Sequence, residues 1–125
     1  MKKLAIFDLD GTLIDSIADL GAATNYALSC YELPTHPLDS YRMRVGNGVN
    51  KLIERALPEP ERSPERVAQL RQDFTRYYND HCTDRTRPYN GITALLKDLQ
   101  TENVAIAVAS NKYQHATEKL VRHFF

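Results

Sequence analysis

Asp8 and Asp10 stand one residue apart directly after the apolar run Leu4 to Phe7, and Gly11 and Thr12 follow them. Two carboxylates, a glycine and a hydroxyl in this order suit phosphoryl transfer, where one carboxylate attacks and another moves a proton. A short apolar segment without alternation predicts a strand buried on both faces of a parallel sheet. Ligands bind beyond the carboxyl ends of such strands. The two carboxylates therefore leave the sheet where a substrate would sit, in different directions, and Gly11 lets the chain turn at once.

Two ordinary readings of the same residues fail on context. Asp10-Gly11 is a hairpin dipeptide, but a hairpin needs a second strand straight after it, and the pattern from Ser16 onward is helical. A calcium loop of the EF-hand type needs glycine at its sixth position and glutamate at its twelfth. Counting from Asp8 finds Leu13 and Asp19 there.

The elements that must position these residues are legible by periodicity. Ser16 and Asp19 have capping-box spacing, and Ile17, Leu20, Thr24 and Leu28 recur along one helical stripe that Pro34 and Pro37 end. A short helix is predicted over Leu38 to Met43, and another from Val49 with Leu52, Ile53, Ala56 and Leu57 as its apolar face. Ser63-Pro64-Glu65 starts a further helix, running to about Tyr78, with Val67, Leu70, Phe74 and a tyrosine inside and Arg66, Arg71 and Arg76 outside. Ile92, Leu95, Leu96 and Leu99 form a helix face, and Val104 to Ala109 is again an apolar run that ends in Ser110-Asn111-Lys112. A hydroxyl thus stands at a second strand's carboxyl end, where it serves a substrate or simply caps a turn. Lys112 lends positive charge there or is solvated.

The segment Phe7 to Ser16, Phe-Asp-Leu-Asp-Gly-Thr-Leu-Ile-Asp-Ser, resembles the first motif of the haloacid dehalogenase superfamily, and within it the phosphoglycolate phosphatase-like branch. Ser110-Asn111 after the second strand resembles the second motif. The resemblance implies that Asp8 attacks phosphorus to give an aspartyl-phosphate, that Asp10 is the acid and base, and that Ser110 and Asn111 hold or orient the phosphoryl group with Gly11 and Thr12. It implies Mg2+ bound through Asp8 and the backbone carbonyl of Asp10. Pro88-Tyr89-Asn90-Gly91 is similar to the family's segment before the equivalent helix. The expected architecture is an α/β parallel-sheet core, residues 1–14 and 87–125, carrying an inserted helical cap, residues 15–86. Val45 to Leu57, with Gly46 and Gly48 opening a helix, looks like the family's cap segment facing the active site; the other reading is an interhelical turn. Arg42 and Arg44 are either partners of a substrate carboxylate or idle surface residues.

The rest of the composition narrows function by exclusion. With 125 residues and a formal net charge of +0, the chain offers no electrostatic reason for nucleic acid or an anionic membrane. Asp8 interrupts the apolar start too early for a signal peptide or a membrane span, so a cytoplasmic enzyme acting on a small phosphorylated metabolite is expected. Cys30 and Cys82 are too few and too distant for a disulfide framework or zinc site. His36, His81, His115 and His123 have no ligand spacing. The family's third-motif lysine and fourth-motif acidic pair find no match, so the resemblance covers the front half of a typical member and the chain reads as truncated. Residues 1–125 alone are expected to be inactive, with the first strand's free edge open to self-association. A phosphosugar mutase of the same superfamily and a non-catalytic phosphate- or magnesium-binding module are the rival functions.

Overall fold

The computed structural model describes residues 3–110 and 112–125. In chain order the elements are β1 (Lys3–Phe7), β2 (Ile14–Asp15), α1 (Ile17–Ser29), a 3-10 helix at Leu38–Met43, α2 (Val49–Ala56), a 3-10 turn at Glu59–Glu61, α3 (Pro64–His81), β3 (Arg87–Pro88), α4 (Ile92–Thr101), β4 (Val104–Val108) and α5 (Gln114–Phe124). β1 and β4 pair in parallel, from Lys3 opposite Val104 to Phe7 opposite Val108. A parallel pair requires a crossover connection, and α4 provides its last leg. This is a mixed α/β fold with a small parallel sheet.

The helical stretch between β2 and β3 holds most of the apolar core. Ala23, Ala27 and Leu28 of α1 are buried with Leu70, Phe74 and Tyr78 of α3, and with Leu52 and Ile53 of α2. Burying each such leucine or aromatic side chain is worth roughly 1.5–3 kcal/mol, so the short helices owe their stability to this shared face rather than to propensity. Ser63 starts α3 as expected, its hydroxyl accepting from the Arg66 N–H at 3.1 Å. Tyr41 packs against α1 at Gly21, where an added Cβ would stand 2.7 Å from its Cδ2.

Three expectations are corrected. β1 is not buried on both faces: Leu4 and Ile6 are 61% and 63% exposed. Alternate residues of a strand face opposite ways, and among the described residues no element covers the side those two present. The helix after Asp15 ends at Ser29, before the prolines, where Glu32 takes a left-handed φ of 56°. The Ser16–Asp19 capping box does not form, since Ser16 makes no side-chain cap bond. Both side chains are engaged elsewhere.

Asp19 instead reaches across the molecule. Its Oδ2, buried in α1, accepts from the backbone N–H groups of Arg85 at 2.9 Å and Thr86 at 2.8 Å, and from the Thr86 hydroxyl at 2.7 Å. The adjoining β2 and β3 form a short antiparallel ribbon, Ile14 opposite Pro88 and Asp15 opposite Arg87. The outgoing and returning strands of the helical stretch are therefore clamped side by side.

Candidate active site

β1 and β4 end level with each other, and the Ala109 N–H donates to the Phe7 carbonyl at 2.9 Å. The residues after the two ends, Asp8 and Ser110, consequently emerge beside one another. Asp8 is exposed, with Oδ1 accepting from the Leu9 N–H at 2.8 Å. The following turn is held from inside by buried Leu9, Leu13 and Ile14. The Leu9 carbonyl accepts from the N–H groups of Leu13 and Ile14, and Gly11, at φ 81°, donates back to Ile14 at 2.9 Å.

Asp10 is held on one oxygen. Its Oδ1 accepts from the Ser16 hydroxyl at 2.6 Å and lies 3.3 Å from Lys112 Nζ. Lys112 is not solvated: its side chain is 4% exposed, donates to the Tyr78 hydroxyl at 2.5 Å and sits 4.2 Å from the centre of that ring. Burial pulls its ammonium below the usual lysine range, against the opposing pull of Asp10. Burial pushes the Tyr78 phenol well up, and the Asp10 carboxylate adds to this. Ser110 Oγ accepts from the Lys112 N–H at 3.1 Å.

A cavity of about 110 Å³ opens over these groups, lined by Asp8, Asp10, Ser110 and Lys112 on one side and by Val45–Val49, Leu20 and Leu52 on the other. Gly46 and Gly48, the candidates from the helical stretch, are thus brought to the carboxylates. Their loop runs through left-handed backbone, with φ 121° at Gly46, 66° at Asn47 and 89° at Gly48. Arg55 braces it from α2, donating to the Gly46 carbonyl and to Asn47 Oδ1, each at 3.1 Å. Gly11 and Thr12 are exposed and do not line the cavity. Asn111 lies outside the described residues.

Among the described residues the cation lining the cavity is Lys112, not an arginine. Arg44 is turned onto Ser40 and His36, and Arg42 faces Asp15 at 3.7 Å. His36 is structural, its Nε2 2.8 Å from the Ala56 carbonyl. Ser16, Asp19, Arg55 and Tyr78 were not identifiable as contributors from sequence. Their roles rest on pairings 6 to 67 residues apart along the chain, and no local pattern encodes those. Among the described residues no group of three or more His, Cys, Asp or Glu side chains is placed to hold a metal, and no helix is long and apolar enough to cross a membrane.

A parallel strand pair delivering two aspartates and a serine to one cavity, under a helical stretch, is the arrangement of a haloacid dehalogenase-like hydrolase. The chain belongs to that family, whose model matches residues 5–125. It is 34% identical over 98% of its length to the phosphoglycolate phosphatase of Mannheimia succiniciproducens, covering 57% of that protein. It is also 34% identical to the N-acetylmuramic acid 6-phosphate phosphatase of Pseudomonas aeruginosa, over 96% of the chain and 53% of the relative. Among solved structures, a candidate phosphoglycolate phosphatase from Lactobacillus delbrueckii superposes with a TM-score of 0.89 at 32% identity, over 98% of this chain and 60% of that one. The chain spans just over half the length of the curated relatives it matches.

Proposed function

We propose that this chain carries the nucleophile, the acid–base group and the cap of a magnesium-dependent phosphate monoester hydrolase, phosphoglycolate phosphatase-like in specificity. The observation that carries the reading is the shared cavity, where Asp8, Asp10 and Ser110 meet the Gly46–Gly48 loop. The names of the relatives support it. Asp8, exposed and without a partner on its second oxygen among the described residues, attacks phosphorus as the ester P–O bond breaks. Asp10 gives its proton to the leaving oxygen, then takes one from the water that opens the aspartyl-phosphate. Ser110 donates to a phosphoryl oxygen, with Asn111 beside it in sequence.

Magnesium suits the donors available, hard oxygens of the Asp8 carboxylate and the Asp10 backbone carbonyl. An ion that keeps several waters and uses one or two carboxylates does not need the larger acidic cluster that the described residues lack. When bound it would neutralise charge on the transferring phosphoryl group.

The cap, residues 15–86, closes the cavity with Gly46 and Gly48, and a cavity of about 110 Å³ suits a small anionic ester better than a bulky one. A small phosphorylated metabolite in the cytoplasm is the partner this implies. The free edge of β1, with Leu4 and Ile6 exposed, favours self-association of this chain. Sedimentation of wild type against Ile6→Lys tests it, and an equal size at all concentrations refutes it.

The deciding experiment for the chemistry, on the protein at its natural length, is acid-quench labelling with a 32P-phosphoester, followed by turnover on phosphoglycolate and N-acetylmuramic acid 6-phosphate. Label on Asp8, lost in Asp8→Asn, is expected. Label on any other residue refutes the assignment. Return of the phosphoryl group to a sugar phosphate would identify a mutase, and binding without turnover a non-catalytic module.

A further inference from the structure

The reading of Asp10 as the acid–base group leaves open which of its oxygens faces the leaving group and what turns it there. Ser16 and Lys112 converge on the same atom, Oδ1, from opposite parts of the chain. An oxygen that already accepts from a hydroxyl and an ammonium has no lone pair to spare for a proton. Oδ2 is therefore the oxygen left to exchange a proton with the leaving group. During the first step the Asp8 carboxylate oxygen bonds to phosphorus, the ester P–O bond breaks with its electron pair going to the leaving oxygen, and that oxygen takes the proton from Asp10 Oδ2.

Lys112 is itself held by the helical stretch. Its ammonium donates to the Tyr78 hydroxyl of α3 at 2.5 Å and lies 4.2 Å from the centre of that ring. The same end of α3 is tied down a second time at Asn79, which accepts from the Tyr113 hydroxyl at 2.7 Å and from Lys119 Nζ. The two Asn79 contacts can keep α3 seated without Lys112. What Lys112 alone adds is the link from α3 to the acid–base carboxylate.

We propose that Lys112 is the positioning residue of Asp10, and that Tyr78 makes this positioning depend on α3 being seated against the β4–α5 loop. Substrate would then meet a correctly turned acid only beneath a closed helical layer. This proposal rests on the assignment of Asp10 above, and its test is chosen to separate the two.

The measurement is turnover as a function of leaving group, on the protein at its natural length. A poor alkyl leaving group (phosphoglycolate) requires the acid, whereas p-nitrophenolate departs with little help. Lys112→Met is expected to lower kcat on phosphoglycolate by about 10–100-fold and on p-nitrophenyl phosphate by less than about 3-fold, a part of the ~10²–10⁴ a general acid supplies. Tyr78→Phe, which keeps the ring and removes only the hydroxyl, should show the same selectivity at smaller amplitude. It decides the matter if Lys112→Met does not fold. Equal losses on both esters would mean that Lys112 only supports the structure, and the proposal fails. If Asp10→Asn itself lacks the selectivity, the acid assignment fails and the proposal with it. If Asp10→Asn is selective while Lys112→Met and Tyr78→Phe are not, the proposal alone fails.

A second readout needs no turnover. In lysine side-chain 1H–15N spectra of the 125-residue chain, one slowly exchanging ammonium signal is expected, absent in Lys112→Met and displaced in Asp10→Asn. A signal that does not move in Asp10→Asn overturns the contact on which the proposal stands.

Discussion

Replacing Asp19 by alanine should be among the most damaging single changes in this chain, although the residue touches neither the cavity nor a charged partner. Its carboxylate accepts from two backbone N–H groups and one hydroxyl, and Asp19 and Thr86 are both buried, at 3% and 0% exposed. A hydrogen bond to a charged acceptor contributes about 1.5–3 kcal/mol, and a buried donor left without a partner costs about 1–3 kcal/mol. The three donors share one oxygen, so their contributions do not add fully. Arg85 is exposed enough for water to replace the lost acceptor at its N–H. The Thr86 pair is not, which leaves a net loss of about 3–4 kcal/mol.

Against the 5–15 kcal/mol typical of a folded domain this is a large fraction. Urea unfolding followed by far-UV circular dichroism would read it as a midpoint lowered by about 1–4 M at an unchanged slope, given slopes of about 1–3 kcal/mol per M. Thr86→Val should recover part of the loss when combined with Asp19→Ala, because it removes one of the stranded donors. A loss under about 1 kcal/mol for Asp19→Ala, or strict additivity in the double variant, would refute the clamp as the element that joins the outgoing and returning strands.

Gly21→Ala should destabilise by about 1–3 kcal/mol, since the added Cβ would stand 2.7 Å from Tyr41 Cδ2. Calorimetry showing the gain of about 1 kcal/mol that alanine ordinarily brings to a helix would contradict this packing. Gly48→Val should cost about 1–3 kcal/mol, because φ 89° with ψ 176° is a backbone region essentially reserved for glycine. It should also lower turnover of phosphoglycolate more than that of an aryl phosphate, and equal losses would make the loop purely structural. Ser16→Ala should leave α1 almost as helical as before, because no cap bond is lost, while selectively slowing esters with poor leaving groups; a helix loss by circular dichroism with no kinetic change would reverse the reading. Burial pushes the Tyr113 phenol from 10.0 up to about 12. The folded chain thus keeps a proton that the unfolded chain loses, so this contribution is complete below pH 10 and disappears between pH 10 and about 12. A Tyr113→Phe variant whose stability falls between pH 10 and about 12 as steeply as that of the wild type would exclude it.

Local chemistry made the front of the site readable from the chain alone. An apolar strand that stops at Asp8-Leu9-Asp10-Gly11 must turn there, because carboxylates do not continue into a buried sheet and glycine opens the turn, and the same reasoning found Ser110 behind β4. Helix α3 was legible for a similar reason, since the Ser63 cap and the Leu70–Phe74–Tyr78 stripe lie within a few turns of each other. Sequence could not say which atoms these residues would meet. Ser16 and Asp19 have the spacing of a capping box, yet each finds a stronger partner once β2 and β3 come together, and a local bond gives way to one across the molecule. Lys112 reads as a solvated lysine opening a helix until Tyr78, 34 residues earlier, encloses it. Whether β1 is covered on one face or two depends on what else stacks against the sheet, and its own apolar residues are the same in either case. Periodicity and turn chemistry are properties of neighbouring residues and survive in one dimension. Burial, and the pairing of charges that burial forces, arise only when distant segments displace water from one another.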